Sequence, residues 1–269
     1  MIAIAFRLNL LIVCTSIALQ AQEIKVAAAS DLQFVFQEVA TRFEKQTGNS
    51  VKLSFGSSGN FFSQIQNGAP YDLFFSADAE YPHRLEAAGL TEPGTIQRYA
   101  TGKIVLWTTS ESGLDVNRGL AVLLEPGVRK IALANPMHAP YGRAAVEALK
   151  AAGIYDRIAD KLIYGENISQ AAQFVASGNA QAGILASSIA ASPLMKSKGK
   201  YFIIPEGSYS PLDQVGVVLR SSQQKKIAKC FIGFINTAEV TELMKEYGFE
   251  FAGAPVLVTK EPTKRFCCC

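Results

Sequence analysis

Ala28-Ala29-Ser30-Asp31-Leu32-Gln33 decides the fold, together with its counterpart Phe55-Gly56-Ser57-Ser58-Gly59-Asn60. Each stretch begins at the end of an apolar segment typical of a β-strand and opens a helical pattern through a serine. Two such turns side by side would aim helix N-termini and hydroxyls at one point, which suits a small anion. Neither turn contains Lys or Arg, so we expect backbone dipoles and hydroxyls, rather than ion pairs, to hold the ligand.

The alternation of apolar strand, polar turn and amphipathic helix continues along the chain, which favours an α/β fold. Two apolar segments, residues 104–107 and 215–218, are where we expect the chain to cross between two lobes. The predicted fold is therefore two-lobed, with mixed sheets flanked by helices and a ligand cleft between the lobes. The predicted boundaries give residues 23–103 and 218–251 to lobe 1, residues 104–217 to lobe 2, and residues 252–269 to a C-terminal tail.

Residues 1–21 are typical of a secretory signal peptide. Arg7 supplies a positive charge, residues 8–19 are mostly apolar, and Ala21 is a small residue after which we expect cleavage. The apolar run is too short for a transmembrane span of about 20 residues. Cys14 lacks the small preceding residue expected of a lipidation site, so we predict a secreted mature chain that carries no lipid.

Composition limits the possible classes of function. Of 269 residues, 49% are hydrophobic and 18% are charged, and the formal net charge is +3 with both signs interspersed. This composition is that of a folded protein, and it gives no support for nucleic-acid binding, which requires clustered basic residues. Cys267, Cys268 and Cys269 end the chain, but neighbouring cysteines have the wrong geometry for disulfides and predict no disulfide framework.

Patterns for catalysis and for metal binding are weak. Residues 56–60 resemble a nucleophile elbow up to the fifth position, which is Asn60 rather than glycine. Neither histidine, His83 or His138, stands in a recognisable triad, and paired-cysteine and H-E-x-x-H spacings are missing from the sequence. We therefore expect no enzyme, no cofactor and no direct cation site. A serine hydrolase that uses Ser57 or Ser58 is the distant alternative.

The serine turns also have purely structural interpretations. Ser30 and Gln33 have the spacing of a capping box, and Ser57 and Ser58 are ordinary candidates for a helix N-cap. Asp31 would repel an anion, and we favour a carboxylate directed at the amides of the first helical turn. The alternative is a carboxylate near the pocket that disfavours partly misplaced anions.

Further stretches carry a family resemblance: Ala27-Ala28-Ala29-Ser30, Phe55-Gly56-Ser57-Ser58, Gly68-Ala69-Pro70-Tyr71-Asp72-Leu73-Phe74-Phe75-Ser76-Ala77-Asp78, Asn135-Pro136 through Pro140-Tyr141-Gly142, Gly183-Ile184 and Tyr247-Gly248-Phe249. Over about residues 23–251, the chain resembles the periplasmic molybdate-binding proteins of ABC transporters, which are class II solute-binding proteins. The resemblance implies a type II two-lobed fold. It also implies a monomeric periplasmic receptor that delivers molybdate, and also tungstate, to a membrane permease.

The same resemblance implies a set of ligand-binding residues. Ser30 and Ser58 would supply hydroxyl and amide donors, and the backbone N–H groups of Tyr141 and Ile168 would complete the oxyanion site. Molybdenum would thus be bound only as its oxyanion. Many members place a tyrosine where this chain has Ala186, so one donor is missing. We predict that the Tyr141 phenol replaces it, the alternative being that its ring only covers the cleft; a receptor for sulfate or another small oxyanion is the second interpretation.

Overall fold

The computed structural model describes residues 21–251. The predicted signal peptide, apart from Ala21, and the predicted tail of residues 252–269 lie outside the described residues. In chain order, the strands are β1 (Glu23–Ala29), β2 (Ser50–Gly56), β3 (Leu73–Ser76), β4 (Gln97–Gly102), β5 (Ile104–Thr109), β6 (Ile131–Ala134), β7 (Leu162–Gly165), β8 (Ala182–Ala186), β9 (Gly199–Ile203) and β10 (Leu212–Val218).

Helices follow most of the strands, although β4 leads directly into β5 and no helix separates β9 from β10. They are α1 (Gln33–Thr47), α2 (Ser58–Gln66), α3 (Glu80–Ala87), α4 (Pro140–Ala151), α5 (Tyr155–Ile158), α6 (Ile168–Ala176), α7 (Ser187–Ala190), α8 (Pro193–Lys198), α9 (Lys225–Ile235) and α10 (Ala238–Glu246). Short 3-10 segments occupy Ser30–Leu32, Ser110–Ser112, Val116–Leu124 and Ala159–Lys161. None of the helices in residues 21–251 has the length and apolar character needed to cross a membrane.

Two five-stranded mixed sheets define two lobes. The first sheet has the order β2-β1-β3-β10-β4 and the second the order β7-β6-β8-β5-β9. Each sheet combines parallel strands with antiparallel ones, since β10 runs antiparallel to β3 and β5 runs antiparallel to β8. The predicted fold class, two α/β lobes with mixed sheets flanked by helices, is confirmed.

Parallel pairing brings the two serine turns together. β1 pairs in parallel with β2, and the register places Ala29 opposite Gly56 at the carboxyl ends of the two strands. The chain leaves both strands at the same edge of the sheet, so Ser30 and Ser58 begin their turns side by side. β6 and β7 end together in the same way, with Ala134 opposite Gly165.

Aromatic packing anchors the first lobe behind these turns. The buried face of α1 carries Phe36 and Phe43, as the helical spacing predicts. Phe36 contacts Phe75 of β3 edge to face, with ring centroids 4.9 Å apart, and Phe43 contacts Phe231 of α9 at 5.0 Å. Each such pair contributes about 0.5–1.5 kcal/mol beyond its buried area, so the helix that starts at the first serine turn is held firmly.

The predicted boundary between lobes at residues 217 and 218 is wrong. All of β10 (Leu212–Val218) is hydrogen-bonded between β3 and β4, so this strand belongs to the first sheet. The chain crosses to the second lobe at Lys103, between β4 and β5, and returns through residues 204–211. The apolar pattern of residues 215–218 could not show this, because a buried strand looks the same in either sheet.

Candidate functional site

A small cavity lies between the lobes at the edge where the serine turns meet. Its lining comes from five turns at the carboxyl ends of strands, three on the first lobe and two on the second. The lining residues are Ala29, Ser30, Asp31, Gly56, Ser57, Ser58, Ala77, Ala139, Pro140, Tyr141 and Ile168. We call this space the interlobe cavity. All four residues singled out as ligand-binding, Ser30, Ser58, Tyr141 and Ile168, line it.

Ser30 occupies the first position of the 3-10 turn that joins β1 to α1. The residue is 3% exposed and its side chain makes no helix-capping hydrogen bond. The predicted capping box is wrong, because the 3-10 turn comes first and α1 begins only at Gln33. A hydroxyl that does not cap its own helix remains available to a ligand.

Ser58 is the first residue of α2 and is fully buried. The Ala77 backbone N–H donates to Ser58 Oγ over 3.0 Å. Because the oxygen already accepts a hydrogen bond, the hydroxyl proton is left to donate to an acceptor in the cavity. Ser57 is the N-cap residue but makes no capping hydrogen bond, and its Oγ lies 2.9 Å from Nδ1 of His138 on the other lobe.

The second lobe presents two helix N-termini to the cavity. Tyr141 is the second residue of α4, after Pro140, and Ile168 is the first residue of α6. The Asn167 side chain caps α6 by accepting from the Gln170 backbone N–H. N–H groups in a first helical turn have no partner within the helix, so those of Tyr141 and Ile168 are suited to bind an anion.

The two lobes are closed on each other around the cavity. Hydrogen bonds join Gly59 N to His138 O (2.9 Å), Asn60 Nδ2 to Glu166 Oε1 (2.7 Å), Ser169 Oγ to Ser30 O (3.0 Å) and Ser188 Oγ to Asp31 O (2.7 Å), and Arg143 pairs with Asp78. Sequence reasoning missed these contacts, because each joins residues that are far apart in the chain.

The cavity is lined without any basic side chain. Arg143, on the α4 face beside it, is engaged by Asp78 and by the Tyr81 hydroxyl. Compensation for a bound anion would therefore come from hydroxyls and amide dipoles, as the sequence predicts. Within residues 21–251, no group of three or more His, Cys, Asp and Glu side chains is arranged to hold a metal ion.

The Tyr141 phenol does not replace a missing donor, so that prediction is wrong. The hydroxyl donates to Asp31 Oδ2 over 3.0 Å and accepts from Gln214 Nε2 over 3.4 Å. The phenol thus enters the first lobe from the second and lies against Gly102, where an added Cβ atom would overlap with the hydroxyl. Ala186, at the end of β8, is fully buried and is not part of the cavity wall.

Asp31 agrees in part with the favoured prediction, since the backbone N–H groups of Asp31 and Leu32, in the first turn, act on its carboxyl group. Tyr141 also donates a hydrogen bond to Oδ2, and Oδ1 is buried without a well-aligned hydrogen-bond partner among the described residues. Burial raises the pKa of Asp31 to about 7, and the hydrogen bond from Tyr141 together with nearby amides offsets only part of this increase. Asp31 is also one of the residues that line the cavity; the alternative interpretation, in which its carboxylate disfavours misplaced anions, stays a prediction.

Comparison with known proteins identifies the family. The sequence profile of the bacterial extracellular solute-binding proteins matches residues 24–250. The chain belongs to this family. Its relatives include the molybdate-binding protein ModA of Azotobacter vinelandii, 38% identical over 232 residues that cover 86% of this chain and 91% of the relative.

Two further comparisons agree with this assignment. ModA of Rhodobacter capsulatus is 35% identical over 229 residues, which cover 85% of this chain and 88% of the relative. The solved structure of the periplasmic molybdate-binding protein of Azotobacter vinelandii superimposes with a TM-score of 0.81 at 34% identity, covering 86% of this solute-binding protein and all of that one. The resemblance seen in the sequence is confirmed.

Proposed function

We propose that this chain is the substrate-binding component of an ABC importer and captures molybdate, and also tungstate, in the interlobe cavity. The observation that carries the proposal is a cavity between the two lobes that is lined by Ser30, Ser58 and the N-termini of α4 and α6, without a basic side chain in its lining. The molybdate-binding relatives support the choice of ligand.

The proposed contacts suffice for tight binding. Hydroxyl and amide donors from Ser30 and Ser58, with the backbone N–H groups of Tyr141 and Ile168, would surround a tetrahedral oxyanion. Each charge-assisted hydrogen bond contributes about 1.5–3 kcal/mol. Since the donors come from both lobes, the anion would stabilise the closed conformation over an open one.

Selectivity would follow from cavity size and from the lack of an acceptor. Sulfate has the charge and shape of molybdate but shorter bonds, so it would leave the donors of a cavity fitted to molybdate at longer distances. Phosphate near neutral pH retains a proton that requires an acceptor. We expect both anions to bind more weakly than molybdate and tungstate.

Calorimetric titration of the purified mature chain with molybdate, tungstate, sulfate and phosphate in turn tests this proposal. Molybdate and tungstate should bind with one anion per chain, and the other two anions much more weakly. A site that prefers sulfate would establish the alternative receptor, and a chain that binds none of the four would refute an oxyanion function.

We further propose that the protein is no enzyme. The Ser57–His138 contact has the length of a nucleophile–base pair, but His138 makes no hydrogen bond to a carboxylate in residues 21–251 that would orient it. A p-nitrophenyl ester assay should give no turnover, whereas turnover lost in Ser57→Ala would support a hydrolase.

The remaining parts of the proposal concern the protein's surroundings. We place it in the periplasm after removal of residues 1–21, as a monomer that delivers its anion to a membrane permease and binds no nucleic acid. Gel filtration with light scattering, on periplasmic extracts and on purified protein, tests the location and the monomeric state together.

A further inference from the structure

Asp31 is a buried acid among the residues that line the interlobe cavity, and no basic side chain pairs with it among the described residues. The residue is 1% exposed and lines the same cavity as Ser30 and Ser58. Oδ2 accepts a hydrogen bond from Tyr141, but Oδ1 is fully buried without a partner in the part of the chain that the structure describes. A buried polar atom without a partner requires an explanation.

The groups that surround Asp31 provide no positive charge. They are the phenols of Tyr141 (α4) and Tyr99 (β4), the Gln214 amide (β10), the backbone N–H groups of Asp31 and Leu32, and the hydroxyls of Ser169 (α6) and Ser188 (α7), which donate to backbone carbonyls of the Ser30–Leu32 turn. An ionised Asp31 next to a bound dianion would bring like charges together in a buried space. Such an arrangement strongly favours the protonated acid.

We propose that Asp31 takes up a proton from solvent when the cavity closes on a dianion, so that the loaded site contains a neutral carboxylic acid with its proton on Oδ1. This inference rests on the proposed function of the cavity as an oxyanion site. Oδ2 continues to accept from Tyr141. Because Oδ1 has no protein partner, the bound anion is the acceptor that remains for its proton.

The proposal assigns a chemical role to the residue that follows the first serine. Asp31 would act as a specificity-determining residue that makes the site take one dianion together with one proton. The pKa of Asp31 in the closed structure, about 7, is consistent with a neutral acid near neutral pH. A bound dianion would raise this pKa further.

The consequence is a pH-dependent affinity. Between the pKa of Asp31 in the free protein and its pKa in the loaded protein, the affinity for molybdate should fall by up to tenfold per pH unit as the pH rises. Asp31→Asn retains a side-chain donor of similar shape but cannot ionise, so its affinity should not change with pH in this range.

Calorimetry at pH 6, 7, 8 and 9, in two buffers of different ionisation enthalpy, measures both affinity and proton uptake. We expect the wild-type chain to take up nearly one proton per molybdate where the affinity changes, and Asp31→Asn to bind molybdate without proton uptake. His138→Gln controls for the imidazole that contacts Ser57 across the lobes, and Asp213→Asn controls for a partly exposed acid of the first lobe. Both controls should retain the wild-type pH dependence.

The outcomes are distinguishable. Molybdate binding without proton uptake in the wild-type chain, or unchanged pH dependence in Asp31→Asn, would overturn the role of Asp31 and leave the proposed function intact. Failure to bind molybdate at every pH would overturn both. If Asp31→Asn does not fold, carbon NMR of the carboxyl groups in the loaded wild-type chain decides the question, since an Asp31 that is ionised at pH 6 contradicts the proposal.

Discussion

Gly59→Ala should weaken anion binding by obstructing closure of the lobes. Gly59 lies in the first turn of α2, and its N–H donates to the carbonyl oxygen of His138 on the second lobe over 2.9 Å. A Cβ atom at this position would lie 2.7 Å from that oxygen and 2.9 Å from the His138 Cα atom. Both are backbone atoms, so the lobes themselves would have to separate by several tenths of an ångström.

The expected cost follows from overpacking at a closed interface. Insertion of one methyl group into a well-packed contact costs about 1–3 kcal/mol, which corresponds to about a 5- to 150-fold loss of molybdate affinity. The open form should not be destabilised, because Gly59 has no left-handed backbone conformation and alanine favours a helix more than glycine does. Tyr81, whose hydroxyl lies 2.7 Å from the added atom, is a flexible side chain of the same lobe.

Titration calorimetry gives the affinity, and thermal unfolding without anion gives the stability. Gly127→Ala is the matched control, since no atom lies within 4 Å of its added Cβ. The reasoning is refuted if Gly59→Ala binds molybdate as tightly as wild type. It is also refuted if the anion-free protein loses stability to the same extent as binding is weakened.

Two further substitutions test the cavity wall. Ser58→Ala should lower molybdate affinity by about 10- to 150-fold, the equivalent of one charge-assisted hydrogen bond. It should also lower the melting temperature, because the buried Ala77 N–H loses its acceptor; wild-type affinity in calorimetry would contradict the role of this hydroxyl. For Asp31, a pKa raised from 3.8 to about 7 means that the folded chain holds a proton which the unfolded chain releases, so the contribution of Asp31 to stability is complete below about pH 4 and is lost as the pH rises to about 7. This loss, up to about 4 kcal/mol over the whole range, should be absent from Asp31→Asn. Urea unfolding at pH 5 and pH 8 without added anion measures the part that falls between these pH values; equal declines in both proteins would refute the assignment.

The sequence predicts those parts of the site that depend on local order along the chain. Ser30 and Ser58 follow strands that pair in parallel, so a strand–turn–helix pattern places them at one edge of a sheet without further information. The N-termini of α4 and α6 are predictable for the same reason, as helix starts after β6 and β7. These features need only the strand and helix periods and the common direction of neighbouring strands.

Features that depend on contacts between distant side chains are not predictable in this way. The Tyr141 phenol donates to Asp31, 110 positions earlier in the chain, and nothing in either local pattern shows that the phenol enters the opposite lobe. The position of β10 is a similar case, because its insertion between β3 and β4 depends on strand direction and not on apolar pattern. The capping-box prediction failed at Ser30 because a 3-10 turn competes with the first turn of α1.

The insertion of β10 between β3 and β4 has a consequence for the order in which the molecule forms. Residues 104–203 contribute every strand of the second sheet. All strands of this sheet are therefore available from one continuous stretch as the chain leaves the ribosome. In the first sheet, β4 cannot be joined to β3 until residues 212–218 have been synthesised, because β10 pairs with both strands. A chain shortened before Leu212 would therefore have a complete second sheet and a first sheet from which β4 is separated. We expect such a chain to bury no ligand between its lobes.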